Sequence, residues 1–92
     1  MLTKKITQTF SIKLGPKRSR ATKARKDELH LYLHELGIDQ DNDAKYWWTV
    51  YEDRKANYWI KVFNCPVEEW ELLEDKLQKS KRKWIMLFEM GS

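Results

Sequence analysis

The stretch that most constrains this chain is residues 46–63, YWWTVYEDRKANYWIKVF. Three Trp, three Tyr and one Phe stand there among Thr, Val and Ile. Aromatic and β-branched side chains fit a pleated, half-buried surface. Two such runs flank the polar segment Glu52-Asp53-Arg54-Lys55-Ala56-Asn57, a pattern that predicts a β-hairpin. The rest of the chain reads as material arranged around it.

Upstream, TKKITQTFSIKL (residues 3–14) alternates. Ile6, Phe10, Ile12 and Leu14 fall on one side, and Thr7, Thr9, Ser11 and Lys13 on the other, with Gln8 out of pattern. Period two marks a half-buried strand, which Gly15-Pro16 ends. Ser19 or Thr22 then serves as N-cap of a helix over 21–36. Leu29, Tyr32, Leu33 and Leu36 form its apolar stripe. Gly37 suits the left-handed residue past its end, with Ile38 as the hydrophobic contact beyond. An acidic loop, 39–43, precedes the hairpin strands, expected at 45–52 and 57–63. Asn64-Cys65-Pro66 opens a second helix, with Pro66 in its first turn and Asn64 or Cys65 as cap. Glu68 and Glu69 early, and Lys76, Lys79 and Lys81 late, complement its dipole. Val67, Trp70, Leu73 and Leu77 are its buried stripe, and WIMLFEM (84–90) is a last strand.

This order, β-α-β-β-α-β, is that of the split βαβ or ferredoxin-like unit. The expectation is one α+β domain over 1–92, a four-stranded antiparallel sheet in order 4-1-3-2 with both helices on one face. Each half holds a right-handed βαβ crossover. Alternation turns Tyr58, Ile60 and Val62 inward and leaves Trp59, Lys61 and Phe63 on the open face. In the preceding strand either Trp47, Thr49 and Tyr51 or Tyr46, Trp48 and Val50 face out. In the last, Glu89 outward takes Ile85 and Leu87 with it. Such an apolar patch, flanked by Lys13 and Lys61, is the kind that binds a partner.

The net charge of +4 conceals an asymmetry. Residues 1–26 hold nine Lys or Arg and no acid, leaving the remainder with nine bases against all 14 acids, a net of −5. A basic arm on an acidic body points to an anionic partner. The run from Lys17 to Lys26 also opens a helix whose dipole disfavours positive charge there. Phosphates would relieve both, with a strong dependence on salt. Lys81-Arg82-Lys83 is a second basic segment, which adds to the first if the geometry lets them meet, although the two loops are expected at opposite ends of the second helix's path. The one Cys makes no intramolecular disulfide and asks for no oxidising compartment. The N-terminus lacks the apolar core of a signal peptide, and no run of about 18 apolar residues marks a membrane span. A cytoplasmic setting with no membrane partner is expected, and Gly91-Ser92 carries no weight.

The aromatic and basic sheet face resembles that of RRM-type domains, which stack unpaired bases on theirs. The likeness is one of topology. The RRM pattern Lys/Arg-Gly-aromatic-Gly/Ala-aromatic falls over Lys55-Ala56-Asn57-Tyr58-Trp59. Lys55 and Trp59 fit it, but Asn57 replaces an aromatic, the glycine is missing, and the first strand's outward face is Thr and Ser. Acylphosphatases are similar in size and topology and bind phosphate in the loop corresponding to Gly15-Pro16-Lys17-Arg18-Ser19-Arg20. Backbone N–H groups there would cradle it, yet their Val-Gln-Gly signature is absent. Asp27, His30 and His34 share a helix stripe, but no Cys-x-x-Cys or third His supports a metal. Cys65 reads as a small buried cap residue. The 39–43 loop lacks the central Gly and distal Glu of an EF-hand.

Two functions fit. The first is a small non-enzymatic protein, without cofactor or metal, that engages RNA, single-stranded DNA or a nucleoprotein. Lys17, Arg18, Arg20, Lys23, Arg25 and Lys26 would contact phosphates, and Trp59, Lys61 and Phe63, with an aromatic of the preceding strand, would contact bases or an apolar partner surface. The second is a phage- or mobile-element-type inhibitor or adaptor of a nucleic-acid-processing protein complex, anti-CRISPR-like in size and style. A homodimer through the open sheet face is a third arrangement.

Overall fold

A computed structural model describes residues 6–38 and 47–89. Its elements are β1 (Thr7–Pro16), α1 (Arg20–Glu35), β2 (Trp47–Glu52), β3 (Asn57–Pro66), α2 (Val67–Lys79) and β4 (Met86–Phe88). All strand pairs are antiparallel, in the order β2-β3-β1-β4, the expected 4-1-3-2 read from the other edge. The fold is α+β and ferredoxin-like. The acidic 39–43 loop, Lys45 and Tyr46, residues 3–5 of the expected first strand, and 90–92 lie outside the described residues.

One layer of side chains holds sheet and helices together. Phe10, Ile12 and Leu14 of β1, with Ile60 and Val62 of β3, are fully buried against Leu29 and Leu33 of α1 and Leu73 of α2. Each such side chain contributes about 1.5–3 kcal/mol by leaving water. The ambiguous β2 parity resolves here. Trp48 turns inward, and its indole N–H donates to the Ile38 carbonyl at 3.1 Å. Trp47, Thr49 and Tyr51 are therefore left on the helix-free face. α1 ends as its sequence predicts: Gly37 sits at φ 74, its N–H donates to the His34 carbonyl at 3.0 Å, and that of Ile38 donates to Leu33 at 2.9 Å. Those bonds satisfy carbonyls the helix end would leave open. Ser19 is the N-cap, accepting from the Ala21 N–H at 3.2 Å.

Four local expectations change. Ile6 does not join the core but is 68 % exposed, because a register shift between Gln8 and Phe10 interrupts the alternation. β1 does not stop at Gly15-Pro16 but runs through it, with a second shift between Lys13 and Gly15. α2 is not capped by Asn64 or Cys65: β3 continues to Pro66, which is itself the N-cap and makes no side-chain bond. The Ile6 carbonyl instead accepts from the Val67 N–H at 3.0 Å. β4 is only three residues, extended by backbone bonds from Lys13 N–H to Ile85 and from Glu89 N–H to Thr9. Among the described residues, no helix is long and apolar enough to cross a membrane.

Candidate nucleic-acid interface

The helix-free face is a small grid built by strand register. Tyr51 pairs with Trp59, which pairs with Lys13, whose N–H is bonded to Ile85. In the next row Thr49, Lys61, Ser11 and Leu87 stand side by side. The third begins with Trp47 beside Phe63 and ends at Thr9 beside Glu89. Trp59, Lys61 and Phe63 thus occupy the face their alternation assigns them. Trp47 and Phe63 stack with centroids 4.2 Å apart, and Tyr51 and Trp59 lie within 7° of parallel at 6.4 Å. Both spacings are close to those of favourable offset pairs. Thr9 and Ser11 are buried although no helix covers them, because large side chains crowd over these small ones.

The polar handles of Trp59 and Tyr51 are already engaged. The Trp59 indole N–H donates to Asp53 Oδ2 at 2.7 Å, and the Tyr51 hydroxyl donates to Ser11 Oγ at 3.2 Å. Asp53 also organises the hairpin turn: its Oδ1 accepts from the Asn57 and Lys55 N–H groups, each at 2.9 Å. The bonds from Asn57, Trp59 and Lys55 hold its carboxyl below the ordinary value, so it stays ionised. Lys61 is ion-paired with Glu89 and lies 5.2 Å from the Phe63 centroid. Among the described residues, the cation at the centre of the face is therefore neutralised, which its sequence position did not reveal.

The basic run does not form one surface. Lys17 pairs with Glu52 at 3.5 Å, and Arg18 and Arg20 are exposed on either side of the Ser19 cap. From there the helix turns about 100° per residue and separates neighbours. Lys23 is exposed. Arg25 turns back to the sheet, where its Nη1 donates to the Leu14 carbonyl at 3.1 Å. Lys26 lies on the flank of His30, whose ring sits 4.6 Å from that of Trp48.

The second basic segment lies where the first does, not at the opposite end. β4 runs antiparallel to β1, so the α2–β4 loop finishes beside the residues with which β1 ends. Lys83 and Ile85 share a cleft with Lys13, Gly15 and Arg25. The hairpin tip joins the same end through Pro16 paired with Asn57 and the Lys17 N–H bonded to Ala56. Arg82 approaches Glu28 at 3.6 Å, and Glu28 also accepts from the Ser80 hydroxyl at 2.6 Å. That end gathers Lys13, Arg18, Arg20, Arg25 and Lys83 without an ion pair to any of them among the described residues.

The remaining constellations behave differently from one another. Two backbone donors of the Gly15–Arg20 loop are already engaged: Lys17 N–H is bonded to Ala56 and Ser19 N–H to Pro16. An amide cradle of the acylphosphatase kind would lack those two donors. Burial lowers the His30 pKa, aided by the Lys26 charge and opposed by Asp27; His34 is exposed. Cys65 is fully buried, and burial first, then Glu69 and Glu68, push its thiol up to about 12. Such a thiol is inert. Sequence reasoning left open whether Lys83 joins the basic run and whether Trp47 and Tyr51 face out, and it left Asp53 out of the site. The first needed the loop geometry. The aromatics needed the β2 parity, which the Trp48–Ile38 bond settles.

The chain matches no protein-family model, no curated protein and no solved structure.

Proposed function

We propose that this protein binds single-stranded nucleic acid, RNA or DNA, across its helix-free face and the adjoining basic end. The observation that carries this reading is the row Tyr51–Trp59–Lys13, in which parallel rings stand one strand from a cation with no carboxylate partner among the described residues. Base stacking on aromatic side chains contributes about 1–3 kcal/mol per base and is indifferent to sequence. Rings already held by Asp53 and Ser11 lose little freedom when a base arrives, so more of that energy appears as affinity. Arg18, Arg20, Lys13 and Lys83 supply phosphate contacts. The protein acts as a non-enzymatic binding module, and a cytoplasmic setting accords with its single inert thiol.

Fluorescence anisotropy with short single-stranded RNA, single-stranded DNA and duplex DNA, from about 50 to about 200 mM salt, tests the reading. Single strands should bind with a steep salt slope, about 0.7 per phosphate contact. Trp59→Ala should weaken single strands by about 1–3 kcal/mol, and Arg18→Glu with Arg20→Glu should weaken all three. Glu89→Gln releases Lys61 and should tighten binding while steepening the slope by about 0.7. Absence of binding to every oligonucleotide at about 50 mM salt overturns the proposal. The exposed Ile85, Leu87 and Tyr51 then become the place to seek a protein partner.

A further inference from the structure

The cleft at the end of β1 brings Arg25 together with two cations of the basic end, Lys13 and Lys83. Its volume is about 280 Å³, and Lys13, Gly15, Pro16, Arg25, Lys83 and Ile85 line it. Three cations, from β1, α1 and the loop before β4, converge on it, and none of the described residues lining it is acidic. None of the three is in an ion pair among the described residues. Like charges do not gather around a concave surface without cost, and an anion between them removes that cost.

The wall of the cleft is built to hold one of these cations. Gly15 adopts φ +122, and a Cβ there would lie 2.6 Å from Thr22 Oγ1 and 3.3 Å from Arg25 Nη1. Glycine thus lets the guanidinium lie against the strand, where one N–H is fixed on the Leu14 carbonyl. Its other N–H donors remain for a ligand, in an orientation that bond has already set. Lys13 and Lys83 add flexible point charges from the strand and from the loop before β4.

We propose that this cleft is a phosphate-monoester site, taking the terminal phosphate of a nucleic-acid strand or of a free nucleotide. The charge decides between phosphate types. An internal phosphodiester carries one negative charge, whereas a monoester carries about −1.5 to −2 near neutral pH, the better match to three cations. Register decides where the attached nucleoside lies. Lys13 is the cross-strand neighbour of Trp59, about 4.8 Å away in the pairing direction, so a terminal nucleotide seated here lays its base on the Tyr51–Trp59 pair. The strand-end form of the proposal rests on the single-strand reading; the phosphate site itself does not.

The test has two arms. In the first, inorganic phosphate and a nucleoside monophosphate are titrated into labelled protein, against chloride at equal ionic strength, and backbone amide resonances are followed. Shifts at Gly15, Arg25 and Lys83 are expected, joined by the Trp59 indole only with the nucleotide. In the second, one short single strand is compared with and without a terminal phosphate, at either end, by anisotropy. The phosphorylated strand should bind roughly tenfold tighter at one end, the effect of one charge-assisted contact. The exposed Lys83→Ala should erase that preference, weakening the phosphorylated strand roughly tenfold more than the unphosphorylated one. Equal binding of both strands, or a preference that survives Lys83→Ala, overturns the strand-end form while the single-strand reading stands. Phosphate and nucleotide shifts without binding of any strand assign the cleft to a free nucleotide and overturn the single-strand reading instead. No shift with either small molecule and no terminal preference overturns the site altogether.

Discussion

Replacing Gly15 by alanine tests the most tightly specified backbone position in the sheet. Two costs add. At φ +122 an L side chain strains the backbone by about 1–3 kcal/mol. The new Cβ would also stand 2.6 Å from Thr22 Oγ1, well inside contact distance. Thr22 is buried and Gly15 is paired with Tyr58 of β3, so neither retreats freely. Overpacking of this kind costs about 1–3 kcal/mol. The sum, about 2–6 kcal/mol, is a large part of the 5–15 kcal/mol typical of such domains, and should lower the melting temperature by at least about 8 °C. The two costs separate in a double-mutant cycle with Thr22→Ala. The Thr22 hydroxyl has no hydrogen-bond partner among the described residues, so its removal strands no polar group. In that background the overlap is gone and only the backbone strain remains, so Gly15→Ala should cost about 1–3 kcal/mol. Urea unfolding followed by circular dichroism measures all four corners of the cycle. A Gly15→Ala protein within about 0.5 kcal/mol of wild type would refute the account of the bulge. Equal penalties in both backgrounds would refute the overlap alone.

Particular contacts lead to three further outcomes. Ala56 holds φ 61 in the hairpin turn, so Ala56→Gly should raise stability by about 0.5–1 kcal/mol in the same urea assay. Cys65, its thiol pushed up to about 12, should react with an aromatic disulfide reagent only as fast as the protein unfolds; rapid labelling of native protein would contradict its burial. His30 has a pKa below its ordinary 6.5 in the folded state, so the unfolded chain binds more protons between that lowered value and 6.5. Its contribution is present above 6.5 and is lost as pH falls through the folded value. The urea midpoint should therefore drop on acidification across that window, and His30→Gln should flatten this part of the profile.

The chain's own pattern determined the element order, the ferredoxin-like sheet and most of the core. Its apolar spacing at periods two and 3.6 is a local property that no distant contact needs to supply. Leu29 and Leu33, Leu73 and Leu77, and Ile60 and Val62 are buried where that spacing assigns them. The outward positions of Trp59, Lys61 and Phe63 were legible too, because alternation in β3 is uninterrupted through them. Tertiary structure decided what depends on partners far apart in sequence. The Trp48 bond to Ile38 set the parity of β2 and brought Trp47 and Tyr51 to the open face. The antiparallel return of β4 carried Lys83 to Lys13 and Arg25, a meeting of the two basic segments that the sequence leaves open. Glu89 reached Lys61 across β1 and removed its charge from the face. Charge content is written in the sequence, but which charges remain unpaired is a three-dimensional property, since Coulomb attraction acts through space and takes no account of chain order.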